Sequence, residues 1–213
     1  MQKPIQLRDK FIAEAGQKFI AGGKEYTLAG EIGTGAIGVV RRAIESKTKE
    51  PYAVKFLAPE PKYIDISSLK DIAERFKREG QRGTALSHEH LVKIHAYEEN
   101  RNSSNFLHNI GPPNPFIVME YIQGTTLENF LRKRIYKSPA PSYNLTLQSM
   151  FIAYSVVSAL HYLHVRKIVH RDVKPANIYF TKVQGDTRPS LVKLGDFGVV
   201  KWGEFKASLT SGT

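Results

Sequence analysis

Eight residues, His170-Arg171-Asp172-Val173-Lys174-Pro175-Ala176-Asn177, constrain this chain more than any other stretch. Five of the eight are polar or charged, and an acidic turn, Asp196-Phe197-Gly198, follows downstream. Neither a solvated loop nor a core strand has that composition. The Asp172 carboxylate, the Lys174 amine and the Asn177 carboxamide are spaced so that all three can converge on one point. Such a group suits a reaction in which a hydroxyl is oriented and a highly charged group is moved. At ordinary residue frequencies the five fixed positions, His, Arg, Asp, Lys and Asn, meet by accident in roughly one such chain in ten thousand.

A second stretch stands upstream. Gly33-Thr34-Gly35-Ala36-Ile37-Gly38 lies between two strand-like runs, Tyr26 to Ile32 and Val39 to Ala43. A third run, Tyr52 to Phe56, follows a turn at Thr48 to Glu50. Side chains at 33, 35 and 38 would hold backbone amides away from a phosphate, so glycine there permits close approach. A strand leads out of this loop rather than a helix, and no Gly-Lys-Ser/Thr follows, which argues against a Rossmann fingerprint and a P-loop. Alone, G-x-G-x-x-G arises in roughly one chain in fifteen of this length, and its ordinary reading is a hairpin turn. Lys55, within Ala53-Val54-Lys55 on the next strand, raises the loop above that reading.

Taken together these residues resemble the protein kinases, whose signatures include H-R-D-x-x-x-x-N, D-F-G and a glycine loop followed by a strand lysine. The resemblance covers about Tyr26 to Thr213. It implies an α+β, bilobal fold, with an N-lobe antiparallel sheet plus one regulatory helix and a C-lobe that is mainly helical and incomplete. The corresponding division is an N-terminal amphipathic extension (1–22), an N-lobe (23–119) and a partial C-lobe with hinge, catalytic loop and the start of an activation segment (120–213). It implies ATP and Mg2+ as cofactors and a protein hydroxyl as acceptor.

Residue by residue, the resemblance makes Asp172 the group that accepts the substrate hydroxyl proton and Lys174 the stabiliser of the transferred phosphoryl group. Asn177 and Asp196 supply hard oxygen ligands for Mg2+. Ile32, Gly33, Gly35, Gly38, Val40 and Ala53 are nucleotide-binding positions. Lys55 grips the non-transferred phosphates, with Glu79 fixing Lys55. Met119 lines the back of an adenine pocket, whose edge meets the backbone at Glu120 and Ile122. Lys174, two residues after Asp172, points to the serine/threonine branch, and Arg171 to a protein substrate. Arg171 also implies pairing with a phosphorylated residue, for which Ser208, Thr210 and Ser211 are the candidates, Thr210 first.

Elsewhere the chain reads as follows. Phe11, Ile12, Ala15 and Phe19, three to four apart, predict a short amphipathic helix within 1–22. Ser68 to Leu86 predicts a helix with a capping box at Ser68 and Asp71. Its inward face carries Ile72, Phe76, Glu79 and Gly83, and a carboxylate there needs a cation partner. Leu91 to Tyr97 and Phe116 to Tyr121 predict two strands, with a long polar insertion between them. Thr126 to Arg134 predicts a short helix. Thr146 to Val165 predicts a longer one whose core stripe is Leu147, Met150, Ala153, Val157, Leu160 and Leu163. His161 and His164 have ligand-like spacing but no acidic ligand nearby, and His88-Glu89-His90 reads as a short turn before a strand, so neither predicts a metal site.

Composition sets the outer bounds. The chain has 213 residues and no cysteine, so disulfide frameworks, thiolate metal sites and cysteine nucleophiles are excluded. The run from Met150 to Leu160 is too short to span a bilayer, and the start lacks an apolar signal core, which predicts a cytoplasmic protein. The net charge of +11 attracts polyanions in general, but the basic residues are dispersed and no aromatic-basic motif predicts specific nucleic-acid binding. In the family the chain continues through an Ala-Pro-Glu motif and further helices. The resemblance leaves the open C-lobe face to be covered by a second copy or a partner chain, or by sequence beyond Thr213. It also leaves an alternative reading, an ATP-binding regulatory module with little or no transfer.

Overall fold

Alternation along the central strand organises the first half of the molecule. In Pro51–Leu57, Tyr52, Val54 and Phe56 point to one face and join a buried cluster with Phe19, Tyr26, Leu28, Ala43, Ala96, Phe116 and Val118. Ala53 and Lys55 point to the other face, as the two-residue period of a strand requires. The structure, a computed structural model, describes residues 15–59, 66–99, 115–135, 143–182, 189–197 and 201–202.

The chain divides into two compact units, Met1–Ser87 with Lys93–Tyr121, and His88–Val92 with Ile122–Thr213. The first is built on β1 (Lys18–Ala21), β2 (Lys24–Thr34), β3 (Gly38–Glu45), β4 (Pro51–Leu57), helix α1 (Ile66–Gly83), β5 (Ile94–Glu98) and β6 (Phe116–Glu120). The strands form one six-stranded sheet in the order β1-β2-β3-β4-β6-β5, antiparallel throughout. Its two end strands approach each other: the Gly22 amide, just after β1, donates to Glu98 Oε1 of β5 at 3.0 Å, and the Phe19 ring of β1 meets Phe116 of the adjoining β6 edge-on at 5.3 Å. The sheet is thus curled around its aromatic cluster, and Phe19 is buried there.

That placement corrects the N-terminal helix expected within 1–22. Residues 1–14 lie outside the described residues, but Lys18–Ala21 is a strand whose alternate residues, Phe19 and Ala21, are buried. Ala21 pairs with Lys24 across Gly22-Gly23, both at positive φ (53° and 76°), which is a two-residue hairpin turn. Helix α1 begins at Ile66, so Ser68 is already helical and does not cap it. Its buried residues, Phe76, Glu79, Gly80 and Gly83, keep the expected inward face. Leu91, expected to open β5, instead bridges Leu194 in parallel within the second unit. Residues 100–114, most of the expected insertion, lie outside the described residues.

The second unit contains β7 (Gly124–Thr126), α2 (Leu127–Ile135), α3 (Tyr143–Val165), β8 (Ile168–Val169), β9 (Ile178–Lys182), β10 (Pro189–Leu194) and β11 (Lys201–Trp202). Strands β10, β9 and β7 make one small sheet, and β11 pairs with β8. Phe130 of α2 meets Phe180 of β9 edge-on at 5.2 Å. Helix α3 packs against β10 and β8, and the core stripe expected on it is wrong in most positions. Leu147, Met150, Ala153 and Val157 are exposed, while Gln148, Ser155, Ala159 and Leu163 form the buried face. The helix is apolar around most of its circumference, so apolarity alone did not distinguish the face against β10 from the other. Among the described residues no helix is long and apolar enough to cross a membrane.

Candidate active site

In the first unit, strand register collects the predicted nucleotide positions on one face. Gly33 pairs with Val40, Val40 with Lys55, and Ala53 with Met119. Directly opposed residues share a face in an antiparallel sheet, and this face is the one opposite Tyr52, Val54 and Phe56. Helix α1 lies on it, because Lys55 Nζ donates to Glu79 Oε1 at 2.9 Å and to Oε2 at 3.1 Å. Glu79 is 3% exposed and Lys55 12%, so the pair is largely withdrawn from water. A buried carboxylate is tolerated only with a charged, hydrogen-bonded partner. The Phe76 ring adds a further contact to the ammonium at 5.8 Å.

The glycine loop joins β2 to β3, and Gly35 N donates to Gly38 O at 2.8 Å across its tip. The three glycines differ in what a side chain would meet. At Gly38 a Cβ would lie 2.4 Å from the Phe56 carbonyl oxygen, so strand packing alone demands glycine there. At Gly33 nothing lies within 4 Å, and at Gly35 the nearest atom is 3.8 Å away. Ile32 is exposed. At the far end of the sheet the Glu120 amide donates to Lys93 O at 2.8 Å and Glu120 Oε2 accepts from the Lys93 amide at 3.2 Å.

In the second unit the loop after β8 is wound around His170. The ring is buried; its Nδ1 accepts from the Asp172 amide at 3.3 Å and its Nε2 donates to Gly195 O at 3.1 Å. These partners require the neutral ring with the proton on Nε2. Burial holds the His170 pKa below the usual histidine value, opposed by the Gly195 carbonyl and by Asp196 and Asp172. The ring also lies 5.7 Å from that of Phe197. Arg171 (φ 66°) and Asp196 (φ 64°) both adopt the left-handed conformation, which non-glycine residues avoid. Such conformations persist where surrounding bonds over-determine them, and here His170 binds the residue next to each.

Asp172 is the hub of this loop. Its Oδ2 accepts from Lys174 Nζ at 2.8 Å and from Asn177 Nδ2 at 2.9 Å, and its backbone carbonyl accepts a second bond from the same amide at 2.9 Å. The bond to Asp172 raises the pKa of Lys174, whose side chain is half exposed. Pro175 opens a 3-10 turn over Pro175–Asn177 that delivers Asn177 into the buried side of the loop. The Gly195 amide donates to Asn177 O at 2.9 Å, which ties the residue before Asp196 to the same turn.

Comparison with known proteins decides the family. The model of the protein kinase domain matches residues 26–212. The chain belongs to the protein kinase domain family. Serine/threonine-protein kinase PknF of Mycobacterium tuberculosis is 30% identical over 186 residues, 87% of this chain and 34% of that protein. Serine/threonine-protein kinase PknB of Mycobacterium leprae is 31% identical over 176 residues, 83% of this chain and 24% of that protein. The crystal structure of the Mycobacterium tuberculosis PknI kinase domain aligns with a TM-score of 0.63 at 25% identity, covering 88% of this chain and 62% of that one. This kinase domain therefore spans about a quarter to a third of the length of these two curated relatives.

Within the kinase domain, the structure pairs Lys55 with Glu79 in one unit and gathers Asp172, Lys174 and Asn177 in the other. Asp196 is half-buried, and Ile122, also half-buried, accepts from the Gly124 amide at 2.9 Å. Gly198, Ser208, Thr210 and Ser211 lie outside the described residues. Sequence reasoning counted His170 as part of the motif but gave it no task. Its three contacts make it the anchor of the loop, and its place beside Arg171 and Asp172 in that motif was the available signal.

Proposed function

We propose that this kinase domain transfers the γ-phosphoryl group of ATP to a serine or threonine hydroxyl of a protein. The observation that carries the reading is the state of Asp172. Its Oδ2 is held by Lys174 and Asn177, while Oδ1 has no partner among the described residues. That leaves one carboxylate oxygen, fixed in direction, to accept the hydrogen bond of an incoming hydroxyl and then its proton. Lys174 is kept cationic by the same carboxylate and faces the negative charge of the moving group. Lys55, held by Glu79, grips the other phosphates. The open space at Gly33 and Gly35 fits a backbone that approaches phosphate closely.

The donor set fits Mg2+. Asn177 turns its nitrogen to Asp172, so its Oδ1 is the atom available to a hard cation, and Asp196 supplies a carboxylate. When bound, the ion neutralises phosphate charge. The Glu120 amide is engaged by Lys93, so the adenine contact at this position falls to its carbonyl, with Ile122 supplying the amide. Lys174 supports the serine/threonine branch and Arg171 a protein acceptor. The exposed Arg171 would receive a phosphate at Ser208, Thr210 or Ser211, with Thr210 the first candidate for autophosphorylation; peptide mass spectrometry after incubation with ATP and Mg2+ reads this directly.

The test is transfer of labelled phosphate to a generic protein substrate, beside Asp172→Asn. Loss of about 10²- to 10⁴-fold in the variant, with nucleotide binding retained, is the expected result. Wild-type protein that binds nucleotide but transfers nothing would instead support the regulatory-module reading.

A further inference from the structure

The seat of helix α1 is built around one glycine. A Cβ at Gly80 would stand 2.2 Å from Tyr97 Cδ2, 2.6 Å from Cγ and 2.8 Å from Cβ. The last of these is fixed to the β5 backbone, so rotating the ring away does not relieve the clash. The helix therefore lies closer to β5 at this point than any side chain permits. Gly80 is the residue after Glu79.

Four other contacts converge on the same place. Phe76, one turn before Gly80 and 1% exposed, lies 6.4 Å from the Tyr97 ring and also carries Lys55 Nζ over its own ring. Tyr97 Oη donates to Glu99 Oε1 at 2.9 Å, and the same oxygen pairs with Lys77 Nζ of α1 at 2.7 Å. A strap from helix to strand thus closes over the tyrosine. Glu79 reaches a lysine on β4 that the strand holds in register, so the reach depends on how far α1 stands from the sheet. Lys55–Glu79 bonds of 2.9 and 3.1 Å leave no slack.

We infer that Tyr97 and Gly80 are positioning residues: the bare glycine against the tyrosine ring sets the height of α1 and thereby the placement of Glu79 on Lys55. This rests on the functional reading above for its catalytic consequence, but not for its geometry. The geometric consequence is that any side chain at 80 lifts the helix and releases Lys55.

Two readouts separate the possibilities. The first needs no nucleotide: acylation of Lys55 by an amine-reactive reagent, followed by peptide mass spectrometry. An ammonium hydrogen-bonded to a buried carboxylate acylates slowly, so Gly80→Ala and Glu79→Gln should each accelerate labelling at Lys55 several-fold. The second is a cycle in kcat/KM for ATP. Gly80→Ala alone should lose about tenfold to 100-fold, the scale of an ångström-sized misplacement. In a Glu79→Gln background the same substitution should cost less than about twofold, because it acts through Glu79. If Gly80→Ala does not fold by thermal melting, Tyr97→Leu, which removes the ring from Phe76 and the hydroxyl from Glu99, carries both measurements. Unchanged Lys55 labelling, or a loss in the Glu79→Gln background as large as in wild type, overturns the inference. Wild-type protein that binds no nucleotide would overturn the functional reading and leave the labelling test standing.

Discussion

Helices α1 and α3 invert each other. Helix α1 is mostly polar or charged, yet it buries a carboxylate and a phenyl ring on a narrow face, Glu79 at 3% and Phe76 at 1% exposure. Helix α3 is mostly apolar, yet Met150, Tyr154 and Val157 are each more than 60% exposed, while a serine, Ser155, is fully buried and bonds back to Phe151 O at 2.8 Å. Burial follows the partner, not the polarity. Helix α1 is buried where β4 and β5 offer Lys55, Ile94 and Tyr97. Helix α3 is buried only along the line that meets β10 and β8. An amphipathic helix announces its inward face, whereas a helix apolar all round leaves the choice to its neighbours.

The sharpest way to break this contrast is to truncate one residue from each face. Phe76→Ala should cost about 3–5 kcal/mol and Leu163→Ala about 2–5 kcal/mol, since both leave cavities in packed surroundings. Val157→Ser and Met150→Gln should each stay within about 0.5 kcal/mol, as surface substitutions do. Urea unfolding of the four variants measures all of this. Should Val157→Ser cost as much as Leu163→Ala, the exposed face of α3 is covered in the working protein and the contrast between the helices is false.

The same contrast explains what the sequence disclosed. The α1 face was legible because Ile72, Phe76, Glu79 and Gly83 stand out from a charged background, and a carboxylate among them demanded Lys55. The loop from His170 to Asn177 was legible because its residue types are fixed by chemistry rather than by packing. On α3 nothing in the pattern preferred Ala159 and Leu163 over Met150 and Val157. At the N-terminus the three-to-four spacing of Phe11, Ile12, Ala15 and Phe19 suggested a helix. The better signal was Gly22-Gly23, a hairpin dipeptide with Phe19 and Ala21 alternating before it. The left-handed Arg171 and Asp196 were not legible at all, because neither residue type betrays a positive φ.

Glycines in the β2–β3 loop repeat the lesson on a smaller scale, since identical residues answer to different partners. Gly38→Ala drives a methyl into the Phe56 carbonyl and should destabilise the protein by about 1–3 kcal/mol, the range for overpacking. Gly33→Ala and Gly35→Ala meet only open space or ordinary contact within the chain. They should leave the thermal midpoint unchanged and weaken nucleotide binding instead. A fall in midpoint for Gly33→Ala equal to that for Gly38→Ala would remove the distinction.

The smallest effect concerns how each unit keeps a buried titratable group. The first pairs its charge, Glu79 with Lys55. The second keeps His170 neutral, and the sign of the pH dependence follows from that. Its folded pKa lies below the unfolded value of about 6.5. Between the two values the unfolded chain binds more protons than the folded one, so stability rises with pH through that interval and is flat above it. Stability is therefore lost as the pH falls below about 6.5, with a slope from this ring of at most about 1.4 kcal/mol per pH unit. His88, also held low by burial, adds in the same direction. Protonation of Nδ1 would also break the bond from the Asp172 amide, so the loss centres on the loop from His170 to Asn177. His170→Gln keeps a donor and an acceptor but cannot titrate. Its urea midpoint should fall less steeply than that of wild type between pH values of about 7.5 and 5.5. Equal slopes would mean that the ring accepts its proton without penalty, and that the neutral anchor is not what holds Asp172 in place.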